Sequence, residues 1–506
     1  MAVIGEIIKR AISITGSTRS DRNFLQAQTN VLSDLLNRAK LTAFGKKYNF
    51  KNILLKDDLV EAFQKNVPIY DYDKLYKEWW HYLLEGHQNI TWPGGQHYFA
   101  LSSGTTSNSK YIPVTDDMLE AIKKSGIQQI LSLKNFNLSA DFFEKQIFML
   151  GSSTQLIQKD DHLEGEISGI SAVNIPFWFK SFYKPGERIA AIENWDDKIH
   201  KIAQLAPKWD IGSITGIPSW IELMLKEVIR YNNVNTIHDL WPNLRIYTSG
   251  GVAFDPYRKS FEKLLSYPIT YIDTYLASEG YLATQKRPNV PGMALIVDNG
   301  VFFEFVPFTD ANIDEKGMVK QNAEVLTIAD VQEEVDYVLL ISTVAGAWRY
   351  MIGDTVMFTD KQYAEIKITG RTKHYLNVVG EQLSVYQMNA AMQQLEREYN
   401  TVIKEFTVGA LLNNGEYVNK WFIGTEQHLN PLKVADILDK HLRTLNKNYN
   451  VARNKALKSV EVKLIPVDMF YKWSEETKKL GGQVKIPRVM KEEELLVFEK
   501  FINALP

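Results

Sequence analysis

Between residues 118 and 275, stretches of helical periodicity alternate with short apolar strands, and no other feature of the chain constrains its fold as much. Apolar side chains recur at helical spacing in 118–131, 197–206, 221–231 and 254–265. Short apolar strands sit between them at 146–150, 244–248 and 269–275. A chain written this way covers its strands with helices, so an α/β fold with mixed β-sheets flanked by helices is expected.

The chain has 506 residues, too many for one hydrophobic core. Its texture changes after about residue 370. A helix at 384–399, strands at 405–412 and 418–424, a helix at 432–445 and a strand at 460–466 read as a small α+β unit, closed by an amphipathic helix at 491–504. The expected organisation is a large N-terminal domain, 1–370, and a small C-terminal domain, 371–506.

Lys and Arg number 58 against 60 Asp and Glu, which leaves no global field to recruit nucleic acid or an acidic membrane. The chain has no cysteine, which excludes disulfides and a thiolate nucleophile and removes the commonest zinc ligand. The N-terminus is amphipathic and charged, without the apolar core of a signal peptide. The longest apolar run, 337–348, is too short to span a bilayer and reads as a buried strand with its turn. A cytoplasmic protein is expected.

Five segments carry chemistry. Tyr98-Phe-Ala-Leu-Ser-Ser-Gly-Thr-Thr-Ser-Asn-Ser-Lys-Tyr111 is an apolar strand running into a turn of hydroxyl and glycine residues closed by a lysine. Such a loop can aim N–H groups and hydroxyls at an anion, with Lys110 adding charge, although a Ser/Thr/Gly run taken alone more often forms a plain turn. No Gly-Lys-Ser/Thr step follows Gly104, which excludes the common P-loop. Tyr247-Thr-Ser-Gly-Gly251 ends a strand on paired glycines, where a flat ring can approach the backbone, or where an ordinary strand-to-helix turn can sit. Tyr271-Ile-Asp-Thr-Tyr-Leu-Ala-Ser-Glu-Gly280 sets a carboxylate beside a hydroxyl, a pattern able to hold Mg²⁺ on phosphates. It equally suits a turn capped by Glu279 with Tyr275 in the core. Trp348-Arg-Tyr-Met-Ile-Gly-Asp-Thr-Val356 places Asp354 after a glycine, suited to ribose hydroxyls or to a type I or II turn. Thr369-Gly-Arg-Thr-Lys-His-Tyr-Leu-Asn377 lies at the change of texture and reads as a hinge or an interdomain loop. His162, Glu164 and Glu166 read as an exposed polar loop ahead of a metal site, and Trp79, Trp80 and Trp92 as packing or surface residues.

The fixed order of these motifs resembles the adenylate-forming superfamily, and their details are most similar to the auxin-responsive-promoter family of acyl-acid amido synthetases, in its bacterial branch. Further matching stretches are Leu35-Leu-Asn-Arg-Ala-Lys-Leu-Thr-Ala-Phe-Gly-Lys-Lys47, Val67-Pro-Ile-Tyr-Asp-Tyr-Asp73, Phe302-Phe-Glu-Phe-Val-Pro307, Leu376-Asn-Val-Val-Gly-Glu381 and Gly482-Gln-Val-Lys-Ile-Pro-Arg488. The resemblance runs from about residue 30 to residue 490. It implies that Ser102, Ser103, Gly104, Thr105, Thr106 and Lys110 cradle the leaving phosphates. By the same resemblance Ser249, Gly250, Gly251 and Tyr275 frame adenine, and Ser278 and Glu279 serve the α-phosphate and Mg²⁺. Asp354 would take the ribose, Arg371 the ribose or phosphates, and Lys485 the reacting carboxylate. Lys373 stands where an acidic residue commonly follows Gly-Arg-x, which leaves the pivot position open.

The implied cofactors are ATP and Mg²⁺, and the implied reaction has two halves. A small carboxylic acid attacks the α-phosphate to give an acyl-adenylate and pyrophosphate. An amine, expected to be that of an amino acid, then displaces AMP while the small domain moves. An acyl-CoA ligase and a non-catalytic nucleotide-binding relative are the alternatives. The expected partners are these small molecules, with no nucleic acid and no membrane, and a monomer is slightly favoured.

Overall fold

The computed structural model describes residues 6, 9–10, 23–102, 110–159, 161–176, 179–251, 254–314, 317–372, 376, 383–413, 416–455, 457–477 and 486–504. The chain divides into two compact units. The first comprises 1–254, 261–315 and 319–367, and the second 255–260, 316–318 and 368–506.

Among the described residues eleven strands form one sheet, which belongs to the first unit except for residues 368–371 of one strand. Its order is Val301–Pro307, Asp336–Thr343, Tyr350–Asp360, Glu365–Arg371, Met293–Leu295, Gly280–Thr284, Thr270–Ala277, Ile246–Gly250, Ile211–Gly216, Gln146–Leu150 and Tyr183–Lys184. From Thr270–Ala277 to Tyr183–Lys184 the neighbours run parallel. The helices Trp195–Leu205 and Pro218–Asn232 punctuate this half, as the periodicity at 197–206 and 221–231 predicts. The other half is antiparallel in its recorded pairings. The mixed α/β expectation therefore holds. A smaller sheet pairs Tyr98–Ser102 with Lys110–Val114 on one side and Leu163–Gly165 on the other.

The N-terminal helices, among them Phe24–Ala39, have no counterpart among the elements expected from the sequence. That helix is pinned by Gln28, only 1% exposed. Its amide donates to the carbonyls of Val297 (2.8 Å) and Val301 (2.9 Å) and accepts from the Phe303 N–H (2.7 Å). A buried polar residue with this many partners locks the helix to the edge strand.

The second unit holds the sheet Phe406–Asn413, Glu416–Gly424, Leu457–Ile465, with the helices Val385–Tyr399 and Pro431–Leu445 contributing to its core. Ser384 and Gln387 form a capping box that starts the first helix, matching the helix expected at 384–399. Asp439 gathers Arg453 (2.7 Å), Tyr449 (2.8 Å) and Arg443 (3.0 Å). Burial alone would raise its carboxyl, but these donors outweigh it and hold the group below the ordinary range. A depressed pKa contributes stability above the unfolded value and loses it as pH falls through the folded one. Asp439→Asn is therefore expected to cost about 3 kcal/mol at pH 7. The gap from wild type should begin to narrow below about pH 4 and close only as pH falls through the folded value. Urea melts of both proteins at pH 7 and pH 3.5 check this, and a gap that does not shrink would refute the sign.

Candidate functional site

The carboxyl ends of parallel strands are where α/β sheets bind ligands. Here Ser249 and Gly250 end one such strand, and the neighbouring strand Thr270–Ala277 runs on into a Ser278-Glu279 turn, with Gly280 paired back to Ala277. Gly250 is a packing necessity in its own right: an added Cβ would lie 2.9 Å from Thr274 Oγ1. That hydroxyl is engaged, donating to the Ser249 carbonyl at 2.9 Å. Gly251 has φ +83°, a conformation that L side chains rarely adopt. Gly250→Ala is expected to cost about 1–3 kcal/mol by overpacking. Adding Thr274→Ala should restore most of that stability. If ATP-dependent activity stays low once stability returns, the glycine also makes room for a ligand; if both return together, its role is packing alone.

The antiparallel half curls back over this edge. Tyr275 and Asp354 stand four strands apart in the sheet order, which in a flat sheet means about 19 Å. Yet the Tyr275 hydroxyl donates to Asp354 Oδ2 at 2.5 Å, and both residues are buried. A break in pairing positions the aspartate. Val338 pairs with Thr355 and Leu340 with Met351, so Leu339 alone faces Ile352, Gly353 and Asp354. Gly353 takes φ +90° there. Bulges re-aim side chains beside active sites. By sequence, Gly353-Asp354 suits a strand boundary or a turn. The structure corrects this to a bulge within the strand Tyr350–Asp360.

Glu279 is held in a similar way. It is 7% exposed and hydrogen-bonded to Tyr350, whose hydroxyl is raised well above its ordinary value by burial and then by the adjacent Glu279 charge. Tyr350 thus remains a neutral donor to the carboxylate. Among the described residues no group of three or more His, Asp or Glu side chains could hold a metal ion. An ion at Glu279 would accordingly draw its other ligands from phosphate oxygens and water, the habit of Mg²⁺.

Ser102 and Lys110 face each other at the open end of the Tyr98–Ser102 and Lys110–Val114 pair. The residues between them, including Ser103, Gly104, Thr105 and Thr106, lie outside the described residues, as do Lys373 and Lys485. Arg371 is exposed and ends the strand Glu365–Arg371. The first unit therefore brings Glu279 together with Tyr350, and Asp354 with Tyr275. Arg371 belongs to the second unit.

One other expectation needs correction. Glu164 is not in an exposed loop: it sits buried on the strand Leu163–Gly165 and bonds His162 Nε2 at 3.0 Å. Arg349, in the same segment as Asp354, is a structural residue. Its guanidinium meets Glu304 at 3.0 Å and donates to the carbonyls of Gln64 (2.8 Å) and Val67 (2.7 Å).

The mixed sheet with a small α+β unit is also the fold of solved acyl acid amido synthetases and CoA ligases. Over 98% of its length the chain superposes on 96% of a solved GH3.15 acyl acid amido synthetase, with a TM-score of 0.77 at 16% identity. A 2-hydroxyisobutyryl-CoA ligase solved in a postadenylation state matches with a TM-score of 0.57 at 12% identity, over 95% of this chain and 92% of that one. Residues 17–160 match the GH3 family N-terminal domain, 294–371 its central domain and 386–494 its C-terminal domain. The chain belongs to the GH3 family. Among its relatives, the indole-3-acetic acid-amido synthetase GH3.3 of Arabidopsis thaliana is 24% identical over 274 residues, 50% of this chain and 44% of that protein. The matched region thus spans a little under half the length of such curated relatives.

Proposed function

We propose that this chain is an ATP-dependent acyl-acid amido synthetase, which activates a small carboxylic acid as its adenylate and passes the acyl group to an amine, that of an amino acid. The observation that carries the reading is the pair of buried carboxylates, Glu279 and Asp354, each held by a tyrosine hydroxyl in the unit that also carries the paired strands Tyr98–Ser102 and Lys110–Val114. Membership of a family with amido synthetases among its named members supports the choice of reaction.

In this reading Lys110 and the hydroxyls of Ser102, Ser103, Thr105 and Thr106, with Gly104 between them, neutralise the leaving pyrophosphate. Asp354, held by the Tyr275 hydroxyl, takes the ribose. Ser249, Gly250 and Gly251 border the adenine, and Ser278 lies beside the α-phosphate. Glu279 would hold Mg²⁺, which supplies charge neutralisation on the phosphate oxygens. Lys485 steadies the acid's carboxylate, and Arg371 contacts the ribose or phosphates as the 371–506 unit moves between half-reactions. These residues act by positioning two anions that repel each other.

The test is pyrophosphate release across aromatic, indolic and aliphatic acids, each alone, with pooled amino acids, and with coenzyme A. Stimulation by an amino acid with an amide product supports the proposal. Stimulation by coenzyme A alone replaces it with a thioester ligase. Silence throughout, with ATP still bound in a titration, replaces it with a binding protein.

A further inference from the structure

The segment 67–73 leads into an aromatic wall beside the candidate site. Tyr72, Tyr76 and Trp80 recur every four residues along a helical stretch, Tyr72–Leu75 continuing into the π-helical turn Tyr76–Trp80. A π-turn widens the helix, so residues four apart line one face. Tyr72 stacks on Tyr76 at 5.6 Å between centroids and meets Trp80 edge-on at 6.1 Å. Trp80, fully buried, packs in turn on Tyr350 at 5.6 Å. The main chain fastens this wall to the sheet, since Tyr70 N–H donates to the Arg349 carbonyl (3.1 Å) and Met351 N–H to the Tyr70 carbonyl (2.7 Å).

The two ends of the wall meet two charged groups. At one end the Tyr350 hydroxyl bonds Glu279. At the other, Lys110 Nζ lies 5.1 Å from the Tyr72 ring centroid, within cation–π range. Tyr72 holds the lysine's strand as well, for its hydroxyl accepts the Tyr111 N–H at 2.8 Å. Burial pushes that hydroxyl up to about 12, which keeps it neutral in the working pH range. A lysine on a flexible four-carbon stem gains direction from such a surface, because the ring limits the rotamers open to it.

We propose that Tyr72 is a positioning residue for Lys110: its ring holds the ammonium, and its hydroxyl holds the strand, where an inorganic pyrophosphate group is bound. This rests on the adenylation reading for its place in a reaction, though not for its binding test.

Titration calorimetry with magnesium pyrophosphate on the full chain reads the effect without turnover. Tyr72→Leu is expected to weaken binding about three- to tenfold, the range of a partly desolvated cation–π contact. Tyr72→Phe, which keeps the ring, should recover most of that affinity. In a Lys110→Ala background the Tyr72→Leu change should add nothing, because its effect runs through the lysine. An additive loss, equal losses in the Phe and Leu variants, or unchanged affinity in Tyr72→Leu overturns the proposal. Pyrophosphate binding that follows this pattern in a protein that adenylates no acid would retain the inference and remove the amido-synthetase reading. Adenylation that proceeds with Tyr72→Leu at wild-type affinity would do the reverse.

Discussion

Glu279→Gln is expected to lower kcat/KM for magnesium-ATP in the adenylation half-reaction by about a hundredfold, the scale of losing one preorganised charge group. The substitution keeps the size of the side chain and its ability to accept from Tyr350, so the turn between Ala277 and Gly280 should survive. What disappears is a negative charge in a buried setting, where it acts far more strongly than at the surface. The magnesium concentration for half-maximal rate should rise with the fall in rate, whereas the thermal midpoint should stay within a few degrees. Pyrophosphate release measured against a magnesium titration is the check. An unchanged metal requirement would remove Glu279 from the phosphate site and leave it as a buried turn residue.

The contrast between Glu279 and its neighbours explains which parts of the site could be read from the residue order. Turns such as Ser249-Gly250-Gly251 and Ser278-Glu279-Gly280 are local, and their backbone demands show in glycine and hydroxyl content. The meeting of Tyr275 with Asp354 is not local, since it depends on a sheet curling through four strands, and no short window of sequence encodes curvature. The bulge at Gly353 was equally hidden, because a glycine before an aspartate suits a turn as well as a break in pairing. The helices at 221–231 and 432–445 are legible because their apolar periodicity faces a core, whereas at 118–131 only Met118 and Leu119 of the periodic apolar residues are buried. The Tyr72–Tyr76–Trp80 spacing carried a comparable signal at every fourth residue, masked by charged neighbours such as Asp73, Lys74, Lys77 and Glu78. Gln28 could not have been singled out, for nothing in its own helix marks the three backbone partners it finds near residue 300.

Arg349 is the clearest case of a motif residue whose effect lies in stability. Arg349→Ala is expected to destabilise the first unit by about 3–5 kcal/mol, the cost of stranding a buried charge. Glu304 is fully buried, and the recorded donors to its carboxylate are Arg349 and the Gln64 amide at 3.1 Å. The same guanidinium satisfies the carbonyls of Gln64 and Val67, so its loss also unties the segment that leads into Tyr70 and Tyr72. Its backbone adds a second constraint, with φ +41° and an N–H given to Ser342 Oγ at 2.9 Å. Replacing the pair together, as Arg349→Met with Glu304→Leu, should recover part of the loss, because no buried charge is then left without its partner. Guanidinium melts of the three proteins separate the two accounts of this residue. A single variant that melts like wild type but fails to adenylate would move Arg349 from the framework into the site.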